Sequence, residues 1–485
     1  MKKKFRFNIK GLLALAVIAS LGLNGCKDFL DVNENPNNPD TAEPSLLLPT
    51  VEASIGQVVG NAFQVYGGMW AQYWTQNPSS SQYRAIDQYN QTNSATDRVW
   101  LTIYRNALNN AQIMINNQES SNDHFRGIAY LLKAYTFQVA TDAFGDIPLS
   151  EALRGNEYGS PRYESQQTVY DSIFMYIDQG QALLAVGNAA APGSQDMIFQ
   201  GDISKWQAFG NTLKLKAYLR LSQVDAEKAR AGIEALYASN PTFLEEDASI
   251  AYSTTGGNEN PLYNEMVNLG YTQNLVASGT AVTAFVRNGD ARRFAFYSPL
   301  SGQDTIAYIP QGSYSSNSGK QVSPPSALVG GHANNPASAT APVKVISAAE
   351  SYFLQAEAVA RGWASGDTRA LFEQGIRESF SAVNLAGEAD TYIANGADAQ
   401  LPADMEGQIK AIITQKYFAM CGFQGFEAWT EWRRTGYPSF LVRSAASVIG
   451  GDRMPLRLIY PSNEVNTNGN FPGTVVVYEP VWWDK

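Results

Sequence analysis

Apolar residues recur at helical spacing along most of the chain. One stripe runs from Trp100 to Ala111 and another from Ile128 to Val139, with apolar side chains three and four positions apart. This spacing places the apolar side chains on one face of an α-helix. Similar stripes lie at residues 169–184, 206–218, 229–238, 349–361, 368–383 and 409–421. The pattern therefore predicts a mostly α-helical fold.

Neighbouring helices in this pattern are predicted to pair. The stripes at 349–361 and 368–383 are separated only by the short segment Gly362 to Asp367. Paired amphipathic helices of this length are typical of tetratricopeptide repeats, which recur about every 34 residues. The match to the repeat consensus is loose, so we predict tetratricopeptide-like helix pairs and no regular array.

Two regions lack helical periodicity. Residues 241–345 are rich in Gly, Ser, Asn, Pro and Tyr, and a stretch this long does not form one structureless loop in a compact domain. We predict an irregular insert of loops, short helices and small strands there. The expected domain at 51–485 thus has a helical scaffold at about 51–240 and 346–434, the insert at about 241–345 and an irregular C-terminal part at 435–485.

The N-terminus has the pattern of a secretory signal. Residues 1–10 are basic, and the apolar run from Gly11 to Leu23 is too short to span about 30 Å of hydrocarbon. Leu23-Asn24-Gly25-Cys26 resembles a bacterial lipobox, in which the cysteine becomes a lipidated N-terminus. We predict a signal peptide at 1–25, a lipid anchor at Cys26 and an irregular tether at 26–50. The alternative is an ordinary signal peptide with an incidental cysteine.

Charge and composition exclude several classes of function. The formal net charge is −10, and cleavage after residue 25 would remove five basic and no acidic residues. Such an acidic chain is unsuited to nucleic acid, which is bound by neutralising phosphates. Structural zinc sites are built mainly from cysteine and histidine. Apart from Cys26, the chain contains only Cys421, His124 and His332 of these two types, and their spacing fits no zinc motif. No metal and no other cofactor is predicted.

Aromatic and amide side chains form two clusters suited to a polar ligand with apolar faces. Sugar rings stack on Trp or Tyr, while their hydroxyl groups bond to Asn, Gln, Asp or Arg. The first candidate cluster comprises Trp70, Tyr73, Trp74, Asn77, Tyr83 and Arg84. The second lies in the insert and comprises Tyr271, Asn274, Tyr308 and Tyr314. Any one of these residues could instead pack in the core, and the expectation is that at least one cluster lines a ligand site.

Several longer segments carry a family resemblance. They are Cys26 to Asn33 with Asn35-Pro36-Asn37, Ala143 to Ala152, Ala349 to Ala358, Gly425 to Arg434, and Arg453 to Glu464. In these segments the chain resembles the SusD/RagB family of Bacteroidetes outer-membrane nutrient-binding lipoproteins. The matches extend over essentially the whole chain after Cys26.

This resemblance implies a fold, a place and a partner. It implies a mostly α fold with tetratricopeptide-like helix pairs and a loop-rich ligand-binding half. It also implies a lipid-anchored protein on the outer face of the outer membrane, since Lys27 and Asp28 resemble a surface-export signal. The implied partner is a SusC-type TonB-dependent transporter, which would receive nutrient oligosaccharides from this protein without any catalytic step.

Three alternatives stay open. The chain could be a peptide-binding member of the same family, or a purely structural or adhesive helical protein. It could also be a surface glycoside hydrolase, which would need two carboxylates about 5 to 9.5 Å apart. Among 45 acidic residues the sequence singles out no such pair. It also contains no nucleophile elbow, zinc helix or phosphate loop.

The charged and aromatic motif residues near the C-terminus are interpreted as structural. Arginines 433, 434, 453 and 457 are expected to pair with glutamates 427, 431 and 464. Trp429 and Trp432 are three residues apart on a predicted helix, so we expect both to pack in the core.

Overall fold

The computed structural model describes residues 42–187 and 189–484. The α-helices in this part of the chain are α1 Pro44–Gln57, α2 Phe63–Trp70, α3 Arg84–Asp87, α4 Asp97–Leu101, α5 Asn109–Asn116, α6 Asp123–Phe144, α7 Gln166–Leu184, α8 Ile203–Arg220, α9 Ala226–Ala238, α10 Pro261–Asn268, α11 Gly279–Arg287, α12 Arg293–Phe296, α13 Ala348–Ala360, α14 Thr368–Ser381, α15 Ala389–Asn395, α16 Met405–Met420, α17 Gly425–Thr435 and α18 Ser462–Thr467. Two π-helical segments, Val58–Ala62 and Thr102–Leu108, join α1 to α2 and α4 to α5. The predicted mostly α fold is confirmed.

Short strands connect distant parts of the chain. β1 Trp74–Gln76 pairs with β5 Leu275–Ala277, β2 Ile147–Pro148 with β3 Tyr163–Glu164, and β4 Ala248–Ile250 with β6 Val343–Ile346, all antiparallel. The region 241–345 also contains α10 to α12 between stretches of loop.

The tetratricopeptide-like character lies in consecutive helix pairs. α6 packs on α7, α8 on α9, and α13 on α14. Gly127 on α6 faces Gly180 on α7, where a Cβ on Gly180 would lie 2.9 Å from the Gly127 carbonyl oxygen. The carboxylates of Asp202, Asp225 and Asp367 accept hydrogen bonds from the first turns of α8, α9 and α14. These N-caps satisfy backbone donors that have no partner within the helix.

The start of the chain departs from the prediction in one respect. The predicted signal peptide and Cys26 lie outside the described residues, but the last part of the predicted tether is helical from Pro44. Proline is compatible with the first turn of a helix because the nitrogen there needs no intrahelical acceptor. Pro49 then lies inside α1.

The centre of the core lies where α2 meets α17. The two backbones touch, since a Cβ on Gly67 would lie 2.1 Å from the Phe426 backbone nitrogen. The rings of Phe63 and Phe426 stack with centroids 4.5 Å apart. The indole of Trp70 packs edge-on against Trp429 at 4.8 Å. This contact fixes the helix that leads into the first candidate cluster.

A buried ion network runs through the same region. Arg434 binds Glu357 and Glu431, Arg220 binds Glu427 and Glu431, and Lys216 and Lys416 lie between these carboxylates and Glu350. Burial alone would raise the pKa of Glu427, but the positive charges of Arg220, Lys216 and Lys416 outweigh it and lower the pKa to about 2. The Glu427 carboxylate is therefore ionised in the folded protein.

The predicted arginine pairing is only partly right. Arg434 pairs with Glu431 as expected, whereas Arg433 donates to the carbonyl oxygens of Asp142 and Leu456. Arg457 donates to the Phe144 carbonyl. Among the described residues Arg453 makes no ion pair and lies over the Tyr478 ring instead. The other three cations of the network are Lys216, Arg220 and Lys416. They lie on α8 and α16, where the sequence pattern predicted no ion pairs.

Candidate functional site

The pairing of β1 with β5 brings the two predicted clusters together. Trp74 faces Ala277 and Gln76 faces Leu275 in this register. Beyond the strands, the Asn77 backbone N–H donates to the Asn274 carbonyl at 2.8 Å, and the Asn77 side-chain amide donates to the Gln273 carbonyl at 2.8 Å. The clusters are therefore neighbouring parts of one region of the fold.

Three aromatic residues of the first cluster are corrected to core residues. Trp70, Tyr73 and Trp74 have almost no exposed surface. The indole N–H of Trp70 donates to the Ile86 carbonyl at 3.1 Å, and the Tyr73 hydroxyl donates to the Tyr417 carbonyl at 2.5 Å. The Trp74 ring fills the space beside Gly68, where a Cβ would lie 2.6 Å from the indole. Aromatic residues of this size contribute most when buried, and these have no face left for a soluble ligand.

The amide groups of both clusters hold the loops in place. Asn274 is buried, and its side-chain oxygen accepts the Gln82 backbone N–H at 3.4 Å. Asn77 is half-buried and also caps the turn by accepting the Ser79 backbone N–H at 2.9 Å. Asn77 and Asn274 were predicted to contact a ligand. Their amide groups position the loops instead, because their polar atoms are already bonded to the backbone.

Tyr314 joins the first cluster rather than a separate site. Its buried ring lies under the exposed Arg84 guanidinium, 5.3 Å from the ring centroid, and its hydroxyl accepts a 3.0 Å bond from Gln88. Arg84 retains an accessible charged end, whereas Tyr314 supports it from below.

Two predicted tyrosines are exposed. Tyr271 is 51% exposed and Tyr308 is 37% exposed. Tyr271 also has a backbone φ of 57°, a conformation that is uncommon for a residue other than glycine and is stabilised only by its surroundings. It follows α10, and its backbone N–H donates to the Met266 carbonyl at 2.9 Å. Tyr271 therefore presents an aromatic ring to solvent near Asn274.

Tyr83 of the first cluster lines a cavity of about 310 Å³. The lining residues are Gln57, Val58, Asn61, Ala62, Val65, Tyr66, Gln82, Tyr83, Ala85, Ile86, Ala95, Arg98, Val99, Thr102 and Glu265. Its volume lies near the lower end of the range of about 300 to 1,000 Å³ found for small-molecule sites. We name it the Tyr83 cavity.

Both π-helical segments border the Tyr83 cavity. Val58, Asn61 and Ala62 come from the first, and Thr102 begins the second. A π-helical turn widens the backbone and shifts the side chains that follow it, and such turns occur frequently at functional sites. The helices α1–α2 and α4–α5 are therefore locally widened on the two sides that enclose the cavity.

The cavity walls combine apolar side chains with polar and charged ones. The Tyr83 hydroxyl is buried and has no hydrogen-bond partner among the described residues. Burial, and secondly the negative charge of Glu265, raises the pKa of Tyr83 well above its ordinary value. Burial likewise raises the pKa of Tyr66 to about 12. Both phenols stay neutral at physiological pH, so each keeps its proton and remains a hydrogen-bond donor.

An ion pair lies at the rim of the cavity. Arg98 and Glu265 are 3.8 Å apart, with the arginine side chain mostly exposed. An exposed pair at this distance contributes little to stability, about 0 to 1 kcal/mol. Both groups can therefore rearrange to contact a ligand. Their charges cancel, which favours an uncharged ligand in this cavity.

Sequence reasoning found Tyr83 but missed Tyr66, Arg98 and Glu265. Tyr66 precedes Trp70 by four residues on α2 and belongs to the same helical face, so its spacing could have indicated it. Arg98 and Glu265 are 167 positions apart, and α10, which carries Glu265, packs on the first π-helical segment beside the cavity.

The described residues contain no group of three or more His, Cys, Asp or Glu side chains placed to hold a metal ion. Within the same residues, no helix has the length and hydropathy needed to cross a membrane.

Comparison with known proteins identifies the family. A family described as starch-binding and associating with the outer membrane matches residues 36–461. No curated protein matches the chain.

Solved structures show the same fold. A chitin-binding SusD homologue from Flavobacterium johnsoniae superposes with a TM-score of 0.75 at 23% identity, covering 91% of this chain and 97% of that one. A SusD homologue from Bacteroides uniformis has a TM-score of 0.75 at 25% identity, covering 90% and 99% of the two chains. One from Bacteroides vulgatus has a TM-score of 0.71 at 24% identity, covering 87% and 92%. The helix pairs, the loop-rich half and the match over residues 36–461 together show that this chain belongs to the SusD-like family of outer-membrane-associated proteins.

Proposed function

We propose that this protein binds nutrient oligosaccharides without cleaving them, and that one sugar unit enters the Tyr83 cavity. The observation that carries the proposal is the Tyr83 cavity: Tyr83 lines it, and the Tyr83 hydroxyl is buried without a hydrogen-bond partner among the described residues. A buried donor without an acceptor costs about 1 to 3 kcal/mol. A ligand hydroxyl or carbonyl oxygen would relieve that cost.

The exposed residues around the cavity would extend the contact along a glycan chain. Tyr271 offers a ring on which a sugar can stack, and Arg84, supported by Tyr314, offers hydrogen-bond donors. Tyr308 is a further exposed ring in the same loop-rich half. The opposite charges of Arg98 and Glu265 cancel at the rim of the Tyr83 cavity, which favours uncharged sugars there.

The setting of the protein completes the proposal. Cys26 would carry the lipid anchor after removal of residues 1–25, with the chain facing the cell exterior. The domain would span residues 51–485, preceded by the tether. The bound oligosaccharide would then pass to a SusC-type TonB-dependent transporter. The family's association with the outer membrane and the chitin-binding relative support this assignment.

The experiment is calorimetric titration of the purified mature protein with malto-oligosaccharides and chito-oligosaccharides, followed by chromatography of the sugars. We expect binding of at least one series with no shortened products. Tyr83→Phe removes only the hydroxyl and should weaken binding about tenfold.

Tyr237→Phe provides the matched control. The Tyr237 hydroxyl is also buried and has no partner among the described residues, but it lies on α9, outside the cavity. Its removal should leave affinity unchanged. Shortened sugars would favour the glycoside hydrolase, and binding of peptides alone would favour the peptide-binding alternative.

A further inference from the structure

A second open groove lies away from the Tyr83 cavity. Its volume is about 600 Å³, and it is lined by residues of α17, the loop that follows it and the C-terminal segment. Trp432 and Tyr478 supply its rings, and Arg443, Asp452 and Arg453 supply its charges. It shares no lining residue with the Tyr83 cavity. We name it the Trp432 groove.

Trp432 and Arg453 line the groove, although the sequence predicted a structural role for both. Trp429 is fully buried and its indole N–H donates to the Pro455 carbonyl at 3.0 Å, as predicted for a core residue. Trp432 is only half-buried and lines the groove, which corrects its predicted core position. Arg453 likewise has no carboxylate partner among the described residues. The two tryptophans predicted to share one helix face thus have different positions, since Trp429 lies in the core and Trp432 lines the groove.

The arginines of the groove have hydrogen-bond donors that the described residues leave without acceptors. Arg453 is exposed, and its guanidinium lies 4.4 Å from the centroid of the Tyr478 ring. Arg443 is fixed by bonds from Nη2 to the carbonyls of Ser447 and Ile449, while its Nε is buried without a partner among the described residues. The Tyr478 ring restricts Arg453 and the two carbonyl groups restrict Arg443, and guanidinium groups are suited to receive a carboxylate at two points.

The loop that carries Val442 and Arg443 forms one wall of the groove, and it is also fixed. The Val442 backbone N–H donates to the Gln72 side-chain oxygen at 3.1 Å, and the Gln72 side-chain amide donates back to the Val442 carbonyl. Gln72 itself has a φ of 63°, an uncommon conformation outside glycine. The loop that carries Val442 and Arg443 is thus tied to the end of α2, so the groove exists before any ligand arrives.

We propose that the Trp432 groove is a second glycan subsite that takes a sugar unit bearing a carboxylate. The sugar ring would stack on Trp432, and its carboxylate would accept hydrogen bonds from Arg453 and Arg443. Asp452 is the acidic residue of the groove, so the local charge is one unit positive on a chain whose net charge is −10. The Tyr83 cavity, in which the charges of Arg98 and Glu265 cancel, has no comparable preference. This inference rests on the proposal that the protein binds glycans.

The test is titration of the purified mature protein with tetragalacturonate and with its fully methyl-esterified form. The ester keeps the sugar and removes the charge. We expect the acid to bind at least about tenfold more tightly than the ester, since hydrogen bonds to charged groups contribute about 1.5 to 3 kcal/mol. Higher salt should weaken the binding of the acid because the groove is open to solvent.

Three variants assign the binding to the groove. Arg453→Ala should abolish the preference for the acid, and Asp452→Asn should strengthen binding of the acid by removing a like charge. Arg293→Ala is the matched control, because Arg293 also lies over an aromatic ring, that of Phe294 at 4.3 Å, but outside the groove. It should change neither affinity.

Equal affinity for acid and ester, no binding of the acid, or an unchanged preference in Arg453→Ala would overturn the assignment of the groove. None of these results would contradict the proposed binding of neutral sugars, which Tyr83→Phe tests separately. Failure of the glycan-binding proposal itself would appear as no binding of any sugar in either series.

Discussion

The guanidinium of Arg434 and the carboxylate of Glu357 form a two-point ion pair in which both N–O distances are 2.7 Å. Both side chains are fully buried. Arg434 also binds Glu431, and through that residue it joins the network that links α8, α13, α16 and α17. Because charges inside a protein are costly when unpaired, each member of this network depends on the others.

Removing one partner should therefore destabilise the fold strongly. Arg434→Ala leaves Glu357 and Glu431 with a buried charge that is no longer balanced, and the free energy of unfolding should fall by about 3 to 5 kcal/mol. Urea denaturation followed by circular dichroism measures this loss. Arg230→Ala is the control, since Arg230 forms an exposed pair with Glu234, and its loss should change the free energy of unfolding little. Similar losses in both variants would contradict the assigned role of the network.

The same network predicts sensitivity to acid. The pKa of Glu427 is lowered to about 2 in the folded protein, well below its ordinary value of 4.5. A depressed pKa contributes stability that is present above the unfolded pKa and is lost as the pH falls toward the folded one. The free energy of unfolding should thus decline between about pH 4.5 and pH 2. A flat profile over this range, measured by denaturation at fixed ionic strength, would contradict the prediction.

Glu52 predicts the opposite dependence on pH. It is fully buried, and burial, followed by the negative charge of Asp196, raises its pKa well above the ordinary value. Asp196 is already bonded to the backbone N–H groups of Ile198, Phe199 and Gly201 and to the Trp206 indole. A raised pKa gives stability that is full below the unfolded pKa and is lost as the pH rises through the folded one.

Glu52→Gln should remove that alkaline loss, because glutamine stays uncharged. The free energy of unfolding of the variant should fall less than that of the wild type as the pH is raised from about 5 upward. The exposed Glu227→Gln serves as the control and should follow the wild-type profile. Parallel profiles for the wild type and Glu52→Gln would refute a neutral Glu52.

The close contact of α2 with α17 predicts intolerance to a single methyl group. Gly67→Ala would place a Cβ 2.1 Å from the Phe426 backbone nitrogen, so the helices must move apart. Overpacking of this kind costs about 1 to 3 kcal/mol or more. Gly387→Ala is matched, because a Cβ there meets nothing within 4 Å. Thermal unfolding should show a lower Tm for the first variant only.

The sequence predicted the helical fold because the periodicity of the apolar residues reports a local property. The stripe from Ile128 to Val139 lies within α6, and its residues are buried as the spacing predicts. Binding residues were harder to predict, since exposure depends on tertiary packing. Trp74 and Tyr271 are each followed by Thr-Gln-Asn, yet the first fills the space beside Gly68 and the second is exposed.

The charged residues show the same limit. The periodicity of α17 places Glu427, Glu431 and Arg434 on one face, but it does not reveal Lys216, Arg220 and Lys416 as their partners. The Tyr83 cavity is likewise built from segments that are distant in sequence, including both π-helical segments and α10. Neither feature has a signature within a single stretch of sequence.

A crystal structure of the mature protein with a bound neutral oligosaccharide tests the central claim most directly. We predict one sugar unit in the Tyr83 cavity, within hydrogen-bond distance of the Tyr83 hydroxyl, and the next units toward Tyr271. An oligosaccharide bound at another surface, with the Tyr83 cavity filled only by water, would contradict the account.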